Sequence, residues 1–278
     1  MNAQLKFSAV SDRRSLQPRA LQPTCSGCTQ RESCLPDTLA PPACARLTGA
    51  IRRLRSLRRG EHLYWPGATA EHVFVLRSGA VKSYILDPSG LEQITGFFAA
   101  GDWLGLEGFG SGVHASAVVA LADTAVCAIP CAELDMLCAS EPPLRRRLWR
   151  ALAEMVQTSH RHALLLADKP TEQRLTSFLI ELAERAQAAG HAGNTIELSM
   201  PRADIGNFLG MATETVSRWF TRLHRLGMIA IDGRRVTLAD RVRLQRLAAG
   251  AEPYEAIHRR GSTTAINSSA RVMRAHCN

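Results

Sequence analysis

Cys25, Cys28 and Cys34 stand with two and five residues between them in a stretch that also holds Gly27 and Pro36. Buried structural cysteines ride on apolar periodicity, as Cys131 and Cys138 do; this trio has none. A loop of this kind can wrap around a metal centre, and three close thiolates leave one ligand to be found. Thiolate ligation suits zinc or an iron–sulfur cluster, and the spacing does not choose between them. A cytosolic chain keeps such thiols reduced rather than paired in disulfides.

A second constellation lies in ADIGNFLGMATETVSRWFTRLHRLG, residues 203–227. Ala203, Ile205, Leu209, Val216, Phe220 and Leu223 supply apolar contacts between two short helices, and Gly210 gives the tight turn between them. On the second helix Glu214, Ser217 and Arg218 fall at i, i+3 and i+4, sharing a face opposite Val216, Phe220 and Leu223. A recognition helix meets base edges with that part of its surface. Arginine can fork onto guanine, and glutamate can accept from a base amino group. Arg202, Thr213, Arg222, Arg225, Arg234 and Arg235 are within reach of phosphates on this reading.

The charge supports a polyanionic partner. The net charge is +9, and apart from Lys6, Lys82 and Lys169 every cation is an arginine. Between Lys82 and Arg145 there is no cation at all, whereas residues 46–59, 145–150 and 202–246 are crowded with them. An anion site is therefore expected near the C-terminus and not in the middle. With 46% hydrophobic residues the chain can build real cores, and at 278 residues about two of them. No apolar run approaches a membrane span and the first 20 residues lack a secretory h-region, so a cytoplasmic protein is expected.

The positioning elements follow from periodicity. Residues 1–50 read as a Pro-punctuated segment bearing the cysteine loop, with a short basic helix over 47–58. Within 51–140, short apolar runs alternate with Gly79, Gly90, Gly96, Gly101 and Gly105, the pattern of a small antiparallel barrel or jelly roll. Residues 131–168 turn helical. Leu144, Leu148, Ala151, Met155, Thr158, His162 and Leu165 make a heptad seam, with Leu152, Val156, Ala163 and Leu166 beside it, so 141–169 reads as a dimerisation helix ended by Lys169-Pro170. Residues 170–250 form a helical unit: a helix capped by Thr171 and stopped by Gly190, a short strand, the two helices above, and a hairpin around Asp232-Gly233. Residues 251–278 read as a flexible tail. The histidines are scattered and read as surface or seam residues. No catalytic constellation is evident, so no enzyme is expected.

Taken in this order, the roll, long helix and winged helix-turn-helix resemble the CRP/FNR family of bacterial transcription regulators over about residues 20–250. The resemblance implies an α+β fold with a cyclic-nucleotide-binding-like N-terminal jelly roll. ETVSR, residues 214–218, resembles the recognition core E-x-x-S-R of the FNR branch, which implies base-reading roles for Glu214, Ser217 and Arg218 on a palindrome similar to TTGAT…ATCAA. CSGCTQRESCLP resembles that branch's cysteine loop and DTAVCAIP its fourth-ligand strand. The resemblance thus implies a 4Fe–4S cluster on Cys25, Cys28, Cys34 and Cys127, and leaves Cys44, Cys131, Cys138 and Cys277 without a ligand role. The turn at Asp87–Glu92 resembles a patch that contacts RNA polymerase. Cyclic AMP is not expected as effector, because the Gly101–Gly105 turn is followed by no cation for its phosphate. The function implied is an oxygen-responsive global transcription regulator and activator, binding DNA as a homodimer while the cluster is intact. The alternatives are the same fold sensing haem-borne gas, thiol redox or zinc, and an iron–sulfur redox protein.

Overall fold

A computed structural model describes residues 25, 28, 30, 34, 40–51, 53–190 and 193–251. The expected tail lies outside the described residues from residue 252 onward, and Cys277 with it.

Eight strands make the roll: β1 (Arg53–Leu57), β2 (His62–Tyr64), β3 (His72–Ser78), β4 (Ala80–Leu86), β5 (Glu92–Ala99), β6 (Trp103–Leu104), β7 (Ala117–Ala120) and β8 (Thr124–Pro130). They form two four-stranded antiparallel sheets, ordered β1-β8-β3-β6 and β2-β7-β4-β5. Side chains alternate across a strand, and that period decides what each face meets. Phe74, Leu76, Leu104, Val126 and Ala128 point into the roll with Val81, Val118 and Ala120 of the other sheet. Their neighbours Val73, Val75, Trp103, Cys127 and Ile129 belong to a second core, outside the first sheet. Gly79 makes the β3–β4 turn at φ +88°, and a Cβ there would lie 2.4 Å from Thr124 Oγ1 and 2.6 Å from Asp123 O, so no other residue fits.

Three helices cover that outer face: α1 (Pro41–Ala50), α2 (Cys131–Ser140) and α3 (Pro142–Asp168). The basic helix expected over 47–58 is not one element. Ala43, Cys44, Leu47 and Ala50 bury the stripe of α1, which ends at Ala50, and residues 53–57 pair with β8 as β1. Strand pairing outweighs local preference over so short a segment. The helical run 131–168 breaks at Glu141, before Pro142-Pro143, into α2 and α3.

The seam on α3 is divided. Leu144, Leu148 and Ala151 are buried in the chain's own core, each leucine contributing about 1.5–3 kcal/mol. Residues 153–161 are all exposed, and Trp149 and Val156 stand 69% and 49% exposed. His162 and Leu165 then turn to the C-terminal unit. The root of α3 is fixed to the roll and its middle is bare.

The C-terminal unit comprises α4 (Thr171–Ala188), β9 (Thr195–Glu197), α5 (Arg202–Leu209), α6 (Thr213–Arg225), β10 (Ile229–Asp232), β11 (Arg235–Leu238) and α7 (Arg241–Ala248). Thr171 is the first helical residue of α4 rather than its cap; the cap position is Pro170. Gly190 stops the helix at φ +82°. Strands β10, β11 and β9 form the wing sheet, with Gly233-Arg234 as the turn. The unit shares a core with Tyr84, Ile94, Phe97, Ala117, Val119 and Leu121, the outer face of the second sheet. The two outer faces of the roll therefore carry different partners: the cysteine segment on one, the helix-turn-helix unit on the other.

Candidate functional site

Cys127 sits on β8 opposite Leu54 of β1 and Val75 of β3. Its odd register relative to Val126 and Ala128 turns it outward, into the core that also receives Cys25, Cys34 and Cys131. Thr48 of α1 ties the loop down: its hydroxyl donates to Cys44 O at 2.8 Å and accepts from Cys25 N at 3.4 Å. Burial pushes the Cys34 thiol up to about 12, with Cys127, Cys25 and Cys28 adding to the rise and Arg147 of α3 opposing it. Burial likewise pushes Cys127 up to about 11, with Cys28 and Cys25 adding, while Arg77 opposes and hydrogen-bonds to it. The four thiols thus feel one another, although among the described residues no three His, Cys, Asp or Glu side chains are gathered tightly enough for a single ion.

None of the seven described cysteines is in a disulfide. Burial holds the Cys34 and Cys127 thiols neutral, and a bound thiophilic metal centre would favour their thiolate forms. An all-cysteine donor set suits an iron–sulfur cluster, as it does zinc. Cys44 and Cys138 are buried among apolar residues, and Cys131 donates to Ala70 O at 3.3 Å.

At the other site, α6 exposes Thr213, Glu214, Ser217, Arg218, Thr221 and Arg225, and buries Val216, Trp219, Phe220 and Leu223. Glu214, Ser217 and Arg218 do share one exposed face. Thr221 extends it, a position overlooked in the sequence although it lies four residues beyond Ser217. The hydroxyls of Ser217 and Thr221 donate to the carbonyls of Thr213 and Ser217 at 3.0 Å each, leaving their oxygens outward. Gly206 lets α5 and α6 close up: a Cβ there would lie 2.6 Å from Met211 O. Gly210 follows at φ +61°.

The phosphate candidates divide. Arg222 stands half-buried with its guanidinium 5.5 Å from the Trp219 ring. Arg234 and Arg235 are exposed on the wing, Arg235 in register with Asp232 and Glu197. Arg202 lies 3.2 Å over the Phe220 ring, where burial lowers its pKa to about 10; it packs inward.

Inside the roll, His114 is 3% exposed, against its reading as a surface or seam residue. It stacks on Tyr64 at 3.7 Å, and Glu107 Oε1 accepts from Tyr64 Oη at 3.2 Å and from Ser116 Oγ at 3.1 Å. At the β4–β5 tip, Asp87 Oδ1 accepts from Ser89 N, Ser89 Oγ and Leu91 N at 2.6–2.9 Å. Those bonds, Ser89's side chain first, hold its carboxyl below the usual range. The turn they brace displays Ile85, Leu86 and Leu91, the last 69% exposed.

A jelly roll joined through a long helix to a winged helix-turn-helix with a basic reading face defines a DNA-binding transcription regulator, not an enzyme. Residues 54–141 match the cyclic nucleotide-binding domain model and residues 173–247 the Crp-like helix-turn-helix domain model. The transcriptional activator protein Anr of Pseudomonas protegens is 39% identical over 230 residues, 83% of this chain and 94% of that protein. The fumarate and nitrate reduction regulatory protein of Escherichia coli is 36% identical over 224 residues, 81% and 90%. The structure of FixK2 from Bradyrhizobium japonicum superposes with a TM-score of 0.64 at 34% identity, covering 70% of this chain and 96% of that one. The chain belongs to the CRP/FNR family, in its FNR branch. Among the described residues no helix is long and apolar enough to cross a membrane.

Proposed function

We propose that this protein is an oxygen-responsive transcription activator that binds a palindrome similar to TTGAT…ATCAA as a homodimer while a 4Fe–4S cluster is held by Cys25, Cys28, Cys34 and Cys127. The observation that carries the reading is a shared surface: Cys127, Cys25, Cys34 and the root of α3 occupy one core on one face of the roll. On this reading residues 1–50 carry the cysteine loop, 51–140 the sensor roll, 141–169 the pairing helix and 170–250 the DNA reader. The site of action is the cytoplasm.

Cys127 anchors one end of the site on a strand, and Cys25, Cys28 and Cys34 bring the loop to it. When bound, the cluster supplies an oxygen-labile crosslink between loop and strand. Leu144, Leu148 and Ala151 bury the base of α3 in the same core, so its packing tightens or slackens with the loop. The bare stretch 153–161 then meets its copy, and Glu214, Ser217 and Arg218 of the two protomers read successive major grooves about 34 Å apart. The tip at Asp87–Glu92 offers RNA polymerase a braced turn with aliphatic side chains.

The test is the absorption spectrum of anaerobically purified protein with iron and sulfide assays. A broad brown band with matched iron and sulfide is expected; a sharp Soret band or a colourless zinc protein overturns the cluster. Val156→Glu, which sets like charges face to face in the pairing surface, should raise the dimer dissociation constant by about 100-fold or more in sedimentation. An unchanged constant would remove the exposed stripe from the interface. Cyclic AMP should not bind the roll at micromolar concentration: residues 83–144 hold no cation, and Glu107 puts a carboxylate among its polar groups. Calorimetric heat of micromolar binding would overturn that.

A further inference from the structure

The last turn of α5 ends where three other elements meet. A helix leaves its final carbonyls without intrahelical partners, and they carry the negative end of its dipole. Here the cap supplies two donors, Gly210 N to Asn207 O at 3.2 Å and Met211 N to Gly206 O at 2.8 Å, and other elements supply the rest. From β5, Gln93 Nε2 donates to Asn207 O at 3.1 Å. From α3, His162 Nε2 lies 2.8 Å from Phe208 O, and its ring lies flat on Phe208 with centroids 4.0 Å apart. From α4, Arg174 Nη1 donates to Leu209 O at 3.1 Å and Gly210 O at 3.4 Å.

The rest of the Arg174 guanidinium points the other way. Its Nη2 donates to Leu166 O at 2.9 Å and its Nε to Lys169 O at 2.7 Å, at the C-terminus of α3. One planar fork thus holds two helix ends, a task a lysine's single ammonium cannot repeat. Gly210 leaves the room for it: a Cβ there would stand 3.2 Å from Arg174 Nη1 and 3.6 Å from Leu166 Cδ2.

The covalent link between α3 and α4 is only Lys169-Pro170, both extended. Its backbone alone sets no angle, although Lys169 Nζ ties the link to α4 and α7 through Ser177 Oγ at 2.9 Å and Ala248 O at 3.1 Å. The roll holds α5 from its other side, where Lys82 Nζ meets Asp204 at 3.0 Å and Asn207 caps the β5 edge through Ile94 N and Glu92 O at 2.7 and 2.8 Å. Those contacts seat the unit on its own roll. Beyond its bare middle, the distal part of α3 meets the unit through Leu165, packed against the unit's core, and through the polar contacts of His162 and Arg174.

We propose that His162 and Arg174 are positioning residues for DNA reading: they fix the angle of each recognition helix to the pairing helix, and so set the half-site separation the dimer accepts. The proposal rests on the homodimer-on-palindrome reading above. One added base pair shifts a half-site by about 3.4 Å and rotates it by about 34°, so a rigid pair of readers discriminates spacing and a loose pair does not.

The experiment measures anaerobic affinity of the full-length protein on palindromes whose half-sites are moved by one and two base pairs either way. Wild type, Arg174→Ala, Arg174→Lys, His162→Ala and His162→Gln are compared, with iron content and sedimentation recorded for each. Wild type should lose about tenfold or more per base pair of misplacement. Arg174→Ala should keep iron, dimer and the matched-to-mismatched ratio of a half-site, while its spacing penalty shrinks to about threefold or less. Arg174→Lys should fall between, and His162→Gln, which retains one donor, should stay nearer wild type than His162→Ala. An equal loss on every spacing would make the residues structural only, and an unaltered spacing profile would also overturn the proposal. If Arg174→Ala does not fold, the two His162 variants decide. A wild-type protein with no preferred spacing would instead sink the palindrome reading.

Discussion

Serine in place of Cys25, Cys28, Cys34 or Cys127 should strip the anaerobic protein of its iron and weaken DNA binding by about 100-fold or more. A hydroxyl is a poor ligand for a thiophilic centre, and a protomer that no longer pairs forfeits the second half-site, worth about 10²–10⁴ in effective affinity. Serine at Cys44, Cys131 or Cys138 should leave iron and binding in place, because the first and last are packed among apolar side chains and Cys131 spends its thiol on Ala70 O. Iron content by anaerobic assay and affinity on the preferred palindrome check both halves. Retention of iron by Cys127→Ser, with loss by Cys131→Ser, would shift the fourth ligand to the head of α2.

Arg218→Ala should cost about 1–3 kcal/mol per half-site on the matched palindrome and less on scrambled DNA. Arg235→Ala should weaken both DNAs alike and lower the salt slope by about one unit per half-site. Arg218 lies on the exposed first turns of α6, whereas Arg235 lies on the wing between Asp232 and Glu197. Only a base reader changes the ratio between sequences, so the contrast carries more than either magnitude. Binding across a salt series separates the two. Equal weakening of both DNAs by Arg218→Ala would make it a phosphate clamp and move the reading face toward Thr221 and Arg225.

Much of this fold was legible because its periods are clean. Short apolar runs such as HVFVL and AVKSYI announced strands, and the glycines between them announced their turns. Residues 53–57 were not legible: RLRSL suits a basic helix as well as a strand, and only the distant partner β8 decides. The start of the long helix at Glu141 was legible, signalled by two prolines; α7 was overlooked, although its cap Asp240 accepts from Arg243 N at 2.9 Å. The heptad seam was legible as a stripe but not in what covers it. A stripe of apolar residues says that something covers it, not what: here the root meets the roll's core, the far end meets the C-terminal unit, and the middle is exposed. The loop cysteines could be read from their spacing, but Cys127 could not. It lies far along the chain and depended on the family resemblance; its outward register is a property of the sheet. Glu214, Ser217 and Arg218 needed only helical geometry. The side-chain donors around the end of α5 left no local trace, since each comes from a different element.

If the bare middle of α3 is the pairing surface proposed above, it also sets how the regulator responds to its own abundance. A surface completed only by a second copy makes the active species rise with the square of protomer concentration while monomers predominate. Doubling expression then raises the amount of competent reader about fourfold, and halving it cuts the output to about a quarter. Synthesis rate and chemical signal therefore multiply rather than add, and a cell could silence such a factor by dilution alone.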